Sequence, residues 1–580
     1  MKRLHRSVII IAALFMMVFL SAEVSSACTG IYVGSEASDD GTVIIARSSD
    51  HSNAVWGNYM QVVQHVDDLP GRSLQVDMEG TVFADIPDTT YQYTGTPFFS
   101  STMYANNVPN DAGACTNECG VAMTMAITAF PNKKALEADP LVTTGLTENT
   151  AADLVLCQSA TAREAVGVLL GIIDKYGSSE GNIALIADQK EAWCVEMYTG
   201  HQYAAVKLPA DKVSVFGNEY NIKYLSKYEE CIKSDGLESL PEEKGFAVYG
   251  KNGELDLYET YSGSSVTTDY CHMRTWIGHK MLAPSKYGKD YDRDKYYPLC
   301  FKADKKVSIS DVVTLLRNRY EGTKYDPDKT GRIDMRVIGT DTAMSVHALQ
   351  VYKELPAEIS CVTWECTGPA IYGLFVPLSN AAVTLSASYG ADQPEEDYGV
   401  FDSWTYPYYA MKEITTMCVG HDDYKIYGAP VKEYWKNAED KMFSVMPEIL
   451  RHAAEMDSEK GAEYITSYCN CVQDQALTDA KQLINDIVWA KSYNSNTLKL
   501  GRNPETGEFL KKERVLQPME INLDSSVYGD LPSEEDAESA EPEEGEKTEG
   551  GNAGTAVPVL IVLAVLVVFF IVIGTMRKNK

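Results

Sequence analysis

Cys28 follows directly on a leader, and that position gives it chemistry. Residues 1 to 27 open with Lys2, Arg3 and Arg6, run through an apolar stretch from Val8 to Leu20 and end in Ser25-Ser26-Ala27, the pattern of a cleaved signal peptide. Cleavage after Ala27 exposes a cysteine with its own α-amine, of reference pKa about 7.7 to 8.0 beside a thiol of about 8.5. One residue then supplies nucleophile and base. The neutral amine takes the thiol proton, directly or through water, and later gives it to a leaving amine. Such a pair needs a cation to stabilise thiolate, a carboxylate to orient the amine and donors for an oxyanion. Arg47 and Asp50 fit the first two needs if a hairpin returns them beside Cys28. Two other fates compete for the cysteine. A disulfide would consume its thiol. Lipidation would block both groups, but that processing wants an aliphatic residue three before the cysteine, where this chain has Ser25. Apart from Cys28, Arg47 and Asp50 would read as a surface ion pair worth about 0–1 kcal/mol.

The hairpin is visible in the elements around these residues. Thr29 to Gly34 and Thr42 to Ala46 are apolar, β-prone runs flanking Asp39-Asp40-Gly41. Gly120 to Thr128, Asn182 to Ala187, Ala192 to Met197, Tyr203 to Leu208 and Val213 to Phe216 predict further antiparallel strands between short polar turns. Thr161 and Glu164 form a capping-box signature for a helix to Tyr176, and another helix begins near Ser308. Met344 to Tyr352, Ile359 to Cys366 and Ile371 to Val376 predict a second strand set, ahead of helices at about 430 to 455 and 472 to 491. Sheets in the middle with helices grouped outside imply an α+β layered body.

The chain has 580 residues, 45% hydrophobic and 23% charged, which excludes a disordered scaffold, a collagen-like fibre and a disulfide mini-protein. With 51 Lys and Arg against 82 Asp and Glu, net −31, it would repel a phosphate backbone, so no nucleic-acid partner is expected. Thirteen cysteines is an odd number for an exported chain. The close pairs Cys115/Cys119, Cys361/Cys366 and Cys469/Cys471 lack zinc-site spacing, which leaves disulfides or buried thiols. The nine histidines include no His-Glu-x-x-His, and Asp326 to Gly331 lacks the twelfth-position acid of a calcium loop. No metal and no cofactor is expected.

The organisation that follows is a signal peptide at 1–27, a catalytic body at 28–525 whose helical portion starts at about 430, an acidic stalk at 526–554, a transmembrane helix at 555–575 and a cytoplasmic tail at 576–580. Residues 531 to 554 carry nine acidic residues and one Lys, too little apolar surface to fold. Ala556 to Ile573 is uncharged and followed by Arg577, Lys578 and Lys580, which the positive-inside rule places in the cytoplasm. The body should then face outside the cell membrane, with release by stalk cleavage and a homo-oligomer both left open.

Cys28-Thr29-Gly30, Asp40-Gly41 and Arg47-Ser48-Ser49-Asp50 resemble the start of N-terminal nucleophile cysteine hydrolases. Asn117-Glu118-Cys119-Gly120-Val121-Ala122-Met123, Glu191-Ala192-Trp193, Ala204-Ala205-Val206-Lys207-Leu208-Pro209 and Tyr320-Glu321-Gly322-Thr323 narrow the likeness to PepD-like dipeptidases, over 28 to about 420. The resemblance implies a four-layer αββα Ntn-hydrolase fold and hydrolysis of dipeptides, beside relatives that cleave penicillin V and conjugated bile salts. It assigns Cys28 as nucleophile and base, with Arg47 and Asp50 as its supports. It matches Asn218, in Val215-Phe216-Gly217-Asn218, to an oxyanion donor and Arg274, in His272-Met273-Arg274-Thr275-Trp276, to a later active-site arginine. The second oxyanion position of the acylase relatives falls near Ile127 or Thr128, where neither side chain is an amide, leaving a backbone N–H at Thr128 as the candidate. Asn117 reads either as a turn residue or as a site wall. The alternatives to a dipeptidase are an acyl-amide hydrolase on the same fold and a noncatalytic surface-binding protein, in which Asn218 and Arg274 would be a turn residue and a solvated helix face.

Overall fold

The opening hairpin forms as expected: β1 (Thr29–Val33) pairs antiparallel with β2 (Val43–Asp50), and every residue of both is buried. Unbroken burial requires cover on both faces, which is why the runs are apolar without alternation. At the tip, Asp40 Oδ1 accepts from Ser38 Oγ at 2.6 Å and from Thr42 N at 3.0 Å, and Gly41 supplies a φ of 81°. The computed structural model describes residues 28–50, 57–99, 113–125, 127–263, 269–332, 336–394 and 400–498. The leader, stalk, membrane segment and tail read from the sequence lie outside them, and no described helix is long and apolar enough to cross a membrane. The chain divides between Asp524 and Ser525, and everything described belongs to the first unit.

The other strands are β3 (Gln61–Val63), β4 (Ser73–Gln75), β5 (Phe83–Asp85), β6 (Tyr93–Gly95), β7 (Ala114–Asn117), β8 (Ala122–Thr124), β9 (Asn182–Ala187), β10 (Ala192–Met197), β11 (Tyr203–Lys207), β12 (Val213–Phe216), β13 (Cys231–Lys233), β14 (Ala343–Val351), β15 (Cys361–Cys366) and β16 (Val376–Ser379). A six-stranded sheet has the order β12-β1-β2-β14-β15-β16, an eight-stranded sheet the order β13-β11-β10-β9-β8-β7-β6-β3, and β4 and β5 form a small ribbon. The longer helices are α1 (Glu148–Leu156), α2 (Ala162–Tyr176), α3 (Asp269–Leu282), α4 (Ile309–Leu316), α5 (Pro407–Cys418), α6 (Ala429–Ala454) and α7 (Ser458–Ser492). Tyr32, Ile45 and Leu349 of the first sheet meet Ala122, Leu185 and Cys194 of the second in a buried cluster that includes Cys28. On the far side of the second sheet, Val155, Val166, Leu169 and Ile173 of α1 and α2 pack on Ile186, Trp193 and Val195. The first sheet carries α3 on β12, α4 on β2 and β14, and α7 on β16. These are the four layers, helix, sheet, sheet, helix, that the resemblance implied.

Local signals account for most element boundaries. Thr161 Oγ1 accepts from Glu164 N at 3.1 Å, while Glu164 reaches back to Ala160 N at 2.9 Å, one residue beyond the expected partner. Ser308 and Asp311 complete a reciprocal box on α4. Three expectations change. The strand expected from Ile371 starts instead at Val376, because Arg317 collects the carbonyls of Ala370 and Gly373 at 2.8 and 2.7 Å and turns the chain there. The last helix begins well before 472, at Ser458, where Asp457 caps it by accepting from Lys460 N at 3.1 Å. The strand expected over Gly120 to Thr128 is shortened to Ala122–Thr124. Two of the close cysteine pairs are not bridged: Cys361 and Cys366 lie at opposite ends of β15, and Cys469 is buried while Cys471 is exposed on one helix.

Gly30 is the tight point of the paired part of β1. A Cβ there would lie 2.6 Å from Ile127 Cδ1 and 2.7 Å from the Phe216 ring, so a side chain would push β1 away from both β12 and the facing sheet. Gly30→Ala is expected to lower stability by about 1–3 kcal/mol. Ile127→Val in the same chain should restore part of that loss, which urea unfolding of the single and double variants measures.

Candidate active site

The register of the hairpin sets Gly30 against Arg47 and Thr29 against Ser48. Arg47 therefore projects from the inner face shared with Cys28 and Ile45, between the sheets. Cys28 is 1% exposed and Arg47 wholly buried. Burial raises the Cys28 thiol pKa, while the Arg47 charge and a backbone hydrogen bond at Asp50 lower it. None of the three Arg47 guanidinium nitrogens has a hydrogen-bond partner among the described residues. Burying an unsatisfied cation is costly in itself; beside a thiol, its field acts on the thiolate. Asp50 ends β2, where the pairing to β14 shifts register between Ala343 and Ser345. Burial pushes its carboxyl up to about 7, against the pull of Arg336, Arg274 and Arg47.

Arg274 arrives from α3 on the other side of the same sheet. Its Nη1 donates to the Cys28 carbonyl and, at 3.0 Å, to Thr29 Oγ1; its Nη2 donates to Asn218 Oδ1 at 2.7 Å. Asn218 Nδ2 in turn donates to the Thr128 carbonyl at 2.7 Å, which leaves one amide hydrogen of Asn218 for another acceptor. The loop carrying Asn218 is fixed to α3 a second time, through Gly217 N to Thr275 Oγ1 at 3.1 Å and His272 Nδ1 to Glu219 at 2.9 Å. All five residues singled out from the sequence, Cys28, Arg47, Asp50, Asn218 and Arg274, thus meet at one end of the sandwich. Thr128 is there too, and its carbonyl anchors Asn218. Asn117 is a turn residue: its Oδ1 accepts from Cys119 N and Val121 N, and its Nδ2 donates to Leu156 O and Ser159 O.

Residues 27–437 match the family described as Peptidase family C69. The chain belongs to peptidase family C69. The match opens one residue before the cysteine around which this geometry is built, and it upholds the likeness to PepD-like dipeptidases. A probable dipeptidase B of Streptococcus pyogenes is 28% identical over 439 residues, spanning 73% of this chain and 84% of that protein. A probable dipeptidase B of Lactococcus lactis is 30% identical over 382 residues, 64% of this chain and 78% of its own length. A probable dipeptidase of Salmonella dublin is 29% identical over 357 residues, 60% of this chain and 80% of that protein. Among solved structures, a variant of the conjugated bile acid hydrolase from Clostridium perfringens aligns at 11% identity with a TM-score of 0.29, covering 59% of this chain and 89% of that one.

Around this C69 site lie residues that the sequence reading missed. Glu148, at the start of α1, is close enough to raise the Cys28 thiol pKa. His347 of β14 pairs with Arg47, and Glu365 of β15 pairs with His347, so the three form one row across adjacent strands. His347 Nε2 shares a 2.8 Å hydrogen bond with Thr124 of the facing sheet, and Glu365 Oε1 accepts from Ser345 Oγ at 2.8 Å and Asn58 Nδ2 at 3.0 Å. Burial and the Arg47 charge hold His347 well below the ordinary imidazole range, and burial pushes Glu365 up to about 8. Both shifts favour the neutral imidazole and the protonated carboxyl, so neither neighbour in the row opposes the Arg47 charge, whose acidic partner is Asp50. The signal available in the sequence was a His and a Glu inside runs otherwise read as buried strands.

The Glu365 carboxyl ties stability to pH. Its folded value of about 8 lies above the ordinary 4.5, so its contribution is complete below about 4.5 and is lost as pH rises through about 8. Glu365→Gln should flatten this dependence, so that Tm falls less from about pH 5 to about pH 9 in the variant than in the wild type, as a thermal-unfolding series reads directly.

Proposed function

We propose that this chain is an exported, membrane-anchored cysteine dipeptidase whose nucleophile and general base both belong to Cys28. The observation that carries the reading is the convergence of Arg47, Asp50, Asn218 and Arg274 on a cysteine at the second position of the family match. The dipeptidase names of the C69 relatives support a dipeptide as substrate.

In this reading, removal of residues 1–27 turns the Cys28 peptide nitrogen into a free amine. That amine takes the thiol proton, and the Arg47 charge stabilises the thiolate. Sulfur attacks the scissile carbonyl carbon, and the remaining N–H of Asn218 is the side-chain donor that suits the oxyanion. Collapse breaks the C–N bond, the Cys28 ammonium protonates the leaving amine, and a thioester remains. Water, deprotonated by the same amine, cleaves the thioester and restores the thiol. Arg274 touches the carbonyl of Cys28 itself, so its part is to fix the nucleophile and Asn218 in one frame. The uncharged segment at 555–575, the acidic stretch before it and the cationic tail after it support an anchor that holds the body outside the cell.

Mass spectrometry of the exported protein should find Cys28 as an unmodified N-terminus, and that protein should hydrolyse simple dipeptides. Cys28→Ala should lower the rate by at least about a thousandfold without loss of fold. A retained leader or a lipidated Cys28 in active protein would sink the mechanism; a free Cys28 with turnover of acyl-amides alone would move the substrate away from dipeptides.

A further inference from the structure

A cavity of about 590 Å³ has walls that include Tyr270, Arg319, Asp328, Arg336 and Asp341, and Arg336 reaches from it to Asp50. Its two inner arginines are in different states. Arg319 has all three guanidinium nitrogens bonded, Nε and Nη2 to the Asp328 carboxylate at 2.9 and 3.1 Å and Nη1 to the Gly339 carbonyl at 2.9 Å. Arg336 does not. Its Nη2 lies 3.4 Å from Asp50 Oδ2, its Nη1 is 3.4 Å from Thr342 Oγ1, and neither Nε nor Nη2 makes a hydrogen bond among the described residues. The side chain is only 12% exposed. It is held in place from two directions: its guanidinium lies over the Tyr270 ring, 5.4 Å from the centroid, and its backbone carbonyl accepts from the Tyr320 hydroxyl. Tyr320 itself stands in a left-handed conformation, φ 60°, within the Tyr320 to Thr323 segment.

A rigid, nearly buried guanidinium with its Nε and one terminal nitrogen unsatisfied is a two-pronged receptor for a carboxylate. Its place suits one substrate carboxylate in particular. In a dipeptide, three bonds separate the scissile carbonyl carbon from the terminal carboxyl carbon, a reach of about 4 Å. Cys28 touches Asp50 through a backbone hydrogen bond, and Arg336 is the next side chain beyond Asp50. We propose that Arg336 receives the free α-carboxylate of the leaving amino acid, so that the substrate class is an amide whose leaving amine is an α-amino acid with an unblocked terminus. The inference rests on the dipeptidase reading above and adds to it the group that limits substrate length. A longer peptide would place a neutral amide where the carboxylate belongs, leaving Nε and Nη2 of the guanidinium without a charged acceptor from the substrate.

The test compares alanyl-alanine with alanyl-alaninamide on the mature enzyme, with Arg336→Gln and Arg336→Lys alongside. For the wild type, kcat/KM should favour the free acid by about 30- to 100-fold, mostly through KM, corresponding to roughly 2–3 kcal/mol for a charge-assisted pair. In Arg336→Gln that ratio should fall towards 1, and Arg336→Lys should recover part of it. A wild-type ratio near 1, read without any substitution and hence without concern for folding, would overturn the proposal. So would an Arg336→Gln variant that loses both substrates in equal proportion, since that is the signature of a side chain acting only through Asp50. Turnover of neither substrate by wild type with a free Cys28 would remove the dipeptidase reading and this inference together.

Discussion

The Arg47 charge is buried between two sheets, with none of its nitrogens hydrogen-bonded among the described residues, and the rest of the site can be understood from that constraint. A guanidinium in this position needs either a counter-charge or a function for its field. The nearest carboxyl in its row, Glu365, is pushed up to about 8 by burial, and the imidazole between them is held neutral. The field therefore falls on the Cys28 thiol, whose pKa burial would otherwise raise unopposed by any cation. The same burial that makes thiolate expensive makes the Arg47 interaction strong, because both groups share the poorly screened space between the sheets.

The outer helical layer completes what the sandwich begins. Arg274 crosses from α3 to bind Cys28, Thr29 and Asn218, segments that are 245 or 246 residues and 56 residues away in the chain. A guanidinium suits this because its forked N–H groups diverge at fixed angles, so one side chain determines the relative placement of Cys28 and Asn218. Asn218 is held on its other side by donating to the Thr128 carbonyl at 2.7 Å. With Gly30 pressed between Ile127 and Phe216, the first strand has no freedom to drift from this frame.

What was legible in the sequence divides along the range of the interaction involved. The hairpin, the caps at Thr161 and Ser308 and the core strands follow from local pattern, and Cys28 with Arg47 and Asp50 follows from strand pairing between neighbours. Asn218 and Arg274 were found only through a family likeness, since nothing local distinguishes them from a turn residue and a helix residue. His347, Glu365, Glu148 and Arg336 were missed because their roles arise from pairing of β2 with β14, from β14 with β15, or from tertiary approach to Cys28 and Asp50. The early start of α7 was a local signal overlooked, the Asp457 cap. The lost strand at Ile371 was not local at all, because it depends on the reach of Arg317.

The distribution of charge also bears on how a small substrate is chosen. The chain as a whole is strongly acidic, net −31, yet Arg47, Arg274 and Arg336 gather around one end of its two-sheet core. At ordinary ionic strength the exposed acidic charge is screened beyond about 8–10 Å, so the surface neither steers nor bars a small zwitterion for long. The arginines are buried and act only at contact range, where solvent no longer weakens them. Selection for a carboxylate then belongs to the pocket and not to the approach, and an acidic exterior is compatible with a site that recognises an anion.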